Sequence, residues 1–287
     1  MRVFRSLPST TLRNLALMFG AALCFWSSLT ILLPTLPLYI EATGANQQQV
    51  GLVMGSFSIG LLLTRGLFGH WADARSRKTV LLIGTAMVGL APVGYSLAQS
   101  LPLLVFLRAA HGLSIAGFTT GYSTLVIDLA PRSQRGEILG YMTLVMPLGM
   151  ALGPALGGGL METQGGFGLV FGIAATLGLL AFGGVSLVQD TQPRPASASV
   201  SVSTEPPSTS SSGSSSPAAP SWLQTLIGTY VHQFSYGRRL QVPAMVLLLI
   251  GMVFGTLVAF LPAYVRDSGI AMNVGLFYTM VAIGSFG

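Results

Sequence analysis

The chain has 287 residues, of which 51% are hydrophobic and only 8% charged, with mean hydropathy +0.70 and a net charge of +6. Water-soluble domains carry about 25% charged residues, so this deficit excludes an ordinary soluble domain and places lipid around most of the chain. The single cysteine, Cys24, excludes a disulfide within the chain.

Arg2, Arg5 and Arg13 precede an apolar run from Leu15 to Ile40. The apolar core of a signal peptide has roughly 7–15 residues, so this longer run reads as an uncleaved first span. A spanning helix needs about 20 mostly apolar residues. By that measure the predicted spans are 15–39, 50–68, 79–97, 101–125, 138–160, 167–188 and 242–264, with an eighth opening at Met272. The breaks are short except for 189–241. Within that segment, 191–220 is Ser, Pro, Thr and Ala with almost no large apolar residue, and it cannot bury enough surface to offset its ordering entropy. It is expected to be a disordered linker. Residues 222–236 mix aromatic and aliphatic with polar residues, which fits either an interfacial amphipathic helix or an irregular lead-in to span 7.

Loop charge predicts the orientation. Arg2, Arg5, Arg13, Arg75, Arg77, Lys78, Arg132, Arg135, Arg194, Arg238 and Arg239 fall on one side of the predicted spans, and only Arg266 on the other. The positive-inside bias puts the N-terminus and the basic loops in the cytoplasm. The same bias accounts for the net charge without a nucleic-acid partner. Arg65, one turn from the inner end of span 2, fits a snorkelling residue.

The two sides of the linker resemble each other. Leu36-Pro37-Leu38-Tyr39, Gly44 and Val50-Gly51-Leu52 are repeated as Leu261-Pro262-Ala263-Tyr264, Gly269 and Val274-Gly275-Leu276. The offset is 225 positions at the start and 224 at the end. Parallel repeats of this kind mark transporters built from two similar six-helix halves. The offset would place the counterpart of span 6 at about position 412, so the chain is expected to be a truncated product ending within span 8.

Three stretches carry the sharpest signals. Residues 69–81 read G-H-W-A-D-A-R-S-R-K-T-V-L. Span 5 contains Gly149, Gly153, Pro154, Gly157 and Gly158 in the order G-x-x-x-G-P-x-x-G-G, where small residues four apart let helix backbones approach and the proline opens a kink. Span 4 carries Arg108 in L-V-F-L-R-A-A-H-G, with His111 at i+3 on the same face. A charge within a span costs around 2.5–3.5 kcal/mol on insertion scales and normally faces a wet cavity or a partner. Snorkelling over roughly 10 Å is the other reading of Arg108. His111 either titrates near neutral pH or is a neutral, hydrogen-bonded residue.

The first stretch resembles the loop between helices 2 and 3 of major facilitator superfamily transporters, G-x-L-A-D-R-x-G-R-K. Gly69, Ala72, Asp73, Arg77 and Lys78 match, while Ala74 and Ser76 depart from it. The span 5 pattern resembles the antiporter motif of the proton-driven exporters in that superfamily. Leu104, Arg108 and Gly112 fit its helix 4 pattern L-x-x-x-R-x-x-Q-G, with His111 in place of Gln. Asp128, Pro131, Arg135, Gly136 and Gly140 fit its loop 4–5 pattern.

The resemblance implies an all-α membrane fold, with a six-helix N-terminal domain at 1–188, a cytoplasmic linker at 189–241 and an incomplete C-terminal domain at 242–287. It implies an Asp128–Arg77 pair, a helix N-terminus in the other half as the partner of Asp73, and Arg108 tuning a proton site. The alternative for these loop charges is simple solvation. Gly69, Asp73, Arg77, Lys78, Asp128 and Arg135, with the span 5 glycines and Pro154, would gate the conformational change. Trp26, Ser27, Tyr122 and Met146 are candidate cavity residues beside Arg108 and His111. No Asp or Glu lies mid-span to carry protons.

The expected function is secondary transport in the plasma (inner) membrane, as proton-coupled export of small molecules. The alternatives are an importing symporter of sugars or other metabolites, and a non-transporting membrane remnant. Taken literally, the truncated chain is expected not to transport, because alternating access needs two halves. No nucleophile constellation or metal-ligand cluster points to an enzyme, no cofactor is expected, and the span 5 glycines are not a phosphate loop because no strand precedes them.

Overall fold

The computed structural model describes residues 7–161, 163, 165–189, 241–270 and 272–284. The expected linker at 191–220, the segment 222–236, and Arg2, Arg5, Arg194, Arg238 and Arg239 lie outside the described residues. The described residues fall into two units. One comprises 7–189 with 253–284, and the other is 241–252, the exposed apolar first turns of span 7.

Every regular element among the described residues is helical, and seven helices are long and apolar enough to cross a membrane. Span 1 is Ser9–Thr30 followed by Leu36–Ala42. Its expected continuity fails at 31–35, where Leu33 N–H bonds the Thr30 carbonyl and Thr35 N–H the Leu32 carbonyl, one residue short of helical spacing. Pro34 and Pro37 remove two backbone donors there, which breaks the ladder. Spans 2, 3 and 4 are Gln47–Ala74, Arg77–Leu97 and Leu101–Leu129. Span 5 divides into Arg135–Thr143 and Val145–Met161, because Pro147 has no N–H for the Thr143 carbonyl. Span 6 is Gly166–Ser186, span 7 Gln241–Asp267, and span 8 is described as Val274–Gly284.

Local chemistry fixes the helix ends. Asn46 and Gln49 form a reciprocal capping box at the start of span 2, at 2.8 and 3.0 Å. Ser76 Oγ accepts from Thr79 N–H at the start of span 3. Gly44 and Gly269 close the first and seventh spans with positive φ, +91° and +66°, as left-handed helix ends favour.

Span 4 packs against spans 2 and 3, span 6 against 1 and 3, and span 5 against 1 and 8. Glycines set several of these distances. A Cβ on Gly89 would lie 3.0 Å from the Gly178 backbone between spans 3 and 6. Spans 3 and 4 meet at Gly84 and Gly117 in the same way. Aromatic packing ties span 1 to span 4, with Phe25 stacked on Phe118 at 3.8 Å between ring centroids. Span 4 is thereby held on three sides, and Arg108, His111 and Ser114 on it are buried.

Candidate functional site

Arg108 and His111 lie one turn apart on span 4, where close approach to span 2 buries them. A Cβ on Gly112 would lie 2.8 Å from Leu61 N, so span 2 seats directly on span 4. Arg108 is 6% exposed and His111 and Tyr95 are fully buried. The guanidinium carbon sits 4.6 Å over the Phe57 ring of span 2, a cation–π contact in a dry setting. Arg108 Nη1 is 3.5 Å from His111 Nδ1, and the Tyr95 hydroxyl of span 3 is 3.0 Å from the same nitrogen.

The donor inventory assigns the proton. Guanidinium only donates, so His111 Nδ1 takes the acceptor role and receives the Tyr95 O–H. The imidazole is then neutral with its proton on Nε2. That Nε2 and Arg108 Nε have no hydrogen-bond partner among the described residues. No carboxylate there pairs with Arg108 either. A charge so placed normally belongs to a pathway rather than to packing.

Span 5 contributes a glycine stripe. Cβ atoms on Gly149, Gly153 and Gly157 would all strike span 1 between Trp26 and Pro34. On Gly158 a Cβ would instead strike span 8, 2.9 Å from Gly275 Cα. The single Thr30 O–H has two acceptors in reach, the Trp26 carbonyl of its own helix (2.7 Å) and the Gly149 carbonyl across the span 1–span 5 contact (2.8 Å). The G-x-x-x-G-P-x-x-G-G stretch is therefore a joint, with three glycines on one neighbour and one on another.

At one end of the bundle, Arg77 Nη1 pairs with Asp128, joining spans 3 and 4. Lys78 Nζ donates to the Ser186 and Val188 carbonyls (3.1 and 2.6 Å), satisfying the open end of span 6 and complementing its dipole. Arg135 Nε reaches the Ala130 carbonyl at 3.4 Å. Gly69 lies near the end of span 2 with open space around it, and Asp73 is exposed.

The candidate cavity residues separate. Trp26, Ser27 and Tyr122 are buried where spans 1, 4 and 5 meet, and Tyr122 donates to the Met142 carbonyl at 3.0 Å. Met146 is 44% exposed. Sequence reasoning missed Tyr95 and Phe57, which join Arg108 and His111 only through the packing of spans 2 and 3. It also missed the Lys78 cap, since the lysine signalled loop charge and a motif match but no partner on span 6.

The Major Facilitator Superfamily profile matches residues 18–287. Over 152 residues the chain is 26% identical to the quinolone resistance protein NorA of Staphylococcus aureus, a stretch covering 53% of this chain and 39% of that protein. The chain thus spans well under half the length of this relative. Solved structures share its fold, among them the following two. A bacterial homologue of the human lysosomal transporter Spinster, in an inward-facing and unoccupied conformation, matches with a TM-score of 0.73 and 19% identity, covering 98% of this chain and 62% of the other. A D-xylose–proton symporter matches with a TM-score of 0.58 and 15% identity, covering 95% and 65%.

Proposed function

Because this chain belongs to the Major Facilitator Superfamily, we propose that it forms the first half, and the opening of the second, of a secondary transporter that exports small molecules in exchange for protons. The domains are 1–188 and 242 onward, joined by the linker at 189–241. The observation that carries export is the span 5 joint. Its residues have the pattern of the exporters' antiporter motif, and its glycines touch both span 1 and span 8. The resistance protein among the relatives supports the same reading. The symporter shares only the fold, so it does not favour import.

The N-terminus and the Arg77–Asp128 end lie in the cytoplasm, the side that the loop-charge bias favours. His111 is the proton acceptor. In the arrangement observed it is neutral beside Arg108, and a second cation 3.5 Å away would repel it. Protonation therefore accompanies a shift of Arg108 or the arrival of an acceptor group. Trp26, Ser27, Tyr122 and Met146 join the substrate path as spans 1 and 5 move at the glycine joint. Gly69, Asp73, Arg77, Lys78, Asp128 and Arg135 gate the cytoplasmic end.

Substrate counterflow tests the reading. Vesicles from cells making the protein from its own gene are compared with vesicles carrying residues 1–287 alone and with empty vesicles. Saturable exchange of a preloaded dye in the first set is the expected result. Exchange no faster than in empty vesicles would overturn it.

A further inference from the structure

Glu41, at the end of span 1, and Arg266, at the end of span 7, meet at the end of the bundle opposite the Arg77–Asp128 pair. Span 2 runs between these ends with 28 residues, about 42 Å of helix. Arg266 Nη1 lies 2.7 Å from Glu41 Oε2. The Glu41 side chain is only 10% exposed, against 51% for Arg266, so the carboxylate is sunk and the guanidinium covers it. Gln47 Nε2 donates to the other carboxylate oxygen.

The two residues occupy equivalent places in the two repeats. Glu41 and Arg266 are 225 positions apart, the offset that also relates Leu36 to Leu261, Tyr39 to Tyr264 and Gly44 to Gly269. The backbone keeps this register, because both glycines follow the charged residue by three positions and both adopt positive φ. Parallel repeats in this architecture are related by an axis along the membrane normal. Residues at equivalent positions can touch only beside that axis. The ion pair therefore marks the axis, where a path between the halves would emerge.

The surroundings are closed. Gly158 and Gly275 bring spans 5 and 8 into backbone contact, Thr279 Oγ1 donates to the Ala151 carbonyl at 2.8 Å, and a Cβ on Gly51 would lie 3.3 Å from Phe260. A pocket of about 420 Å³, open on one side, lies against the pair, lined by Leu38, Ala42, Met161 and Phe167.

We propose that Glu41–Arg266 is an ion-pair latch on the repeat axis that holds this end of the protein shut. Each half supplies one charge at the same repeat position, so the latch is symmetric in place and opposite in sign. What passes the latch rests on the transporter reading, but the latch itself is tested without measuring flux.

The test uses a Cys24→Ser background carrying Met161→Cys in the cavity wall. Alkylation by a membrane-impermeant maleimide is timed in intact cells and in inverted vesicles, so either orientation is read. Glu41→Gln and Arg266→Gln should each speed labelling about fivefold, the ratio that corresponds to losing about 1 kcal/mol. Glu41→Lys, which places two cations on the axis, should label faster still. Asp267 Oδ1 also lies 2.8 Å from Arg266 Nε, so the charge swap Glu41→Arg/Arg266→Glu is made with Asp267→Asn to avoid a new repulsion; it should return to the parental rate, as should Asp267→Asn alone. Neutral singles labelling at the parental rate, or a swap labelling like the singles, would overturn the latch. Parental labelling in the swap, with no counterflow by the protein made from its own gene, would uphold the latch and reject the transporter reading.

Discussion

Replacing Gly153 by alanine should separate spans 1 and 5. The added Cβ would lie 2.8 Å from both Ile31 N and the Ser27 carbonyl oxygen, and closer still to Thr30 Oγ1. The first two are backbone atoms of a helix and cannot swing aside. Ordinary contact begins near 3.4 Å, so the helices must part by about 0.6 Å, a gap that forfeits a quarter to a half of each dispersion contact along the stripe. The same movement stretches the Thr30–Gly149 hydrogen bond from 2.8 Å towards its limit. Overpacking of this kind costs about 1–3 kcal/mol. Alanine also gains about 0.5–1 kcal/mol of helix propensity over glycine, so the comparison needs a control that shares the gain. Gly159→Ala is that control, since a Cβ there meets nothing within 4 Å. Equilibrium unfolding of both variants in one detergent should show the folded-to-unfolded ratio of Gly153→Ala lower by about 5- to 150-fold. Equal stability of the two variants would refute the close-packed joint.

Tyr95→Phe removes the O–H donor to the buried His111 Nδ1 and should lower stability by about 1–3 kcal/mol in the same unfolding assay. Lys78→Met uncaps span 6 and should cost about 0.3–1 kcal/mol, with the earliest loss of amide-exchange protection at 183–188. Asp128→Asn breaks a pair whose side chains are 38–39% exposed, so it should change stability by at most about 1 kcal/mol while altering transport kinetics. Ser76→Cys, with Cys24 replaced, should label in inverted vesicles and not from outside intact cells, and the reverse pattern would invert the assigned topology.

The membrane class and the positions of the spans were legible because twenty-residue apolar runs broken by short charged loops have few alternative readings. Helix ends were less so. Span 2 runs on to Ala74 and span 4 to Leu129, because a charged residue near a helix end, Asp73 or Asp128, does not end the backbone hydrogen bonding. The breaks at 31–35 and Leu144 were signalled by Pro34, Pro37 and Pro147, but hydropathy alone passes over them. Arg108 and His111 stood out as charge and imidazole in an apolar helix. Tyr95 and Phe57 did not, since an aromatic residue in a span is ordinary until packing brings it beside a guanidinium. The Glu41–Arg266 pairing was implicit in the repeat offset, yet its contact depends on how spans 1 and 7 meet, which the pattern does not state.

The central claim, proton-driven export involving Arg108 and His111, is tested most directly in everted vesicles from cells making the protein from its own gene. An imposed proton gradient should drive saturable accumulation of a fluorescent substrate inside the vesicles. A protonophore should abolish it, as should Arg108→Ala or His111→Leu at equal protein level. Accumulation that survives collapse of the gradient, or that is undiminished in both variants, would contradict the account.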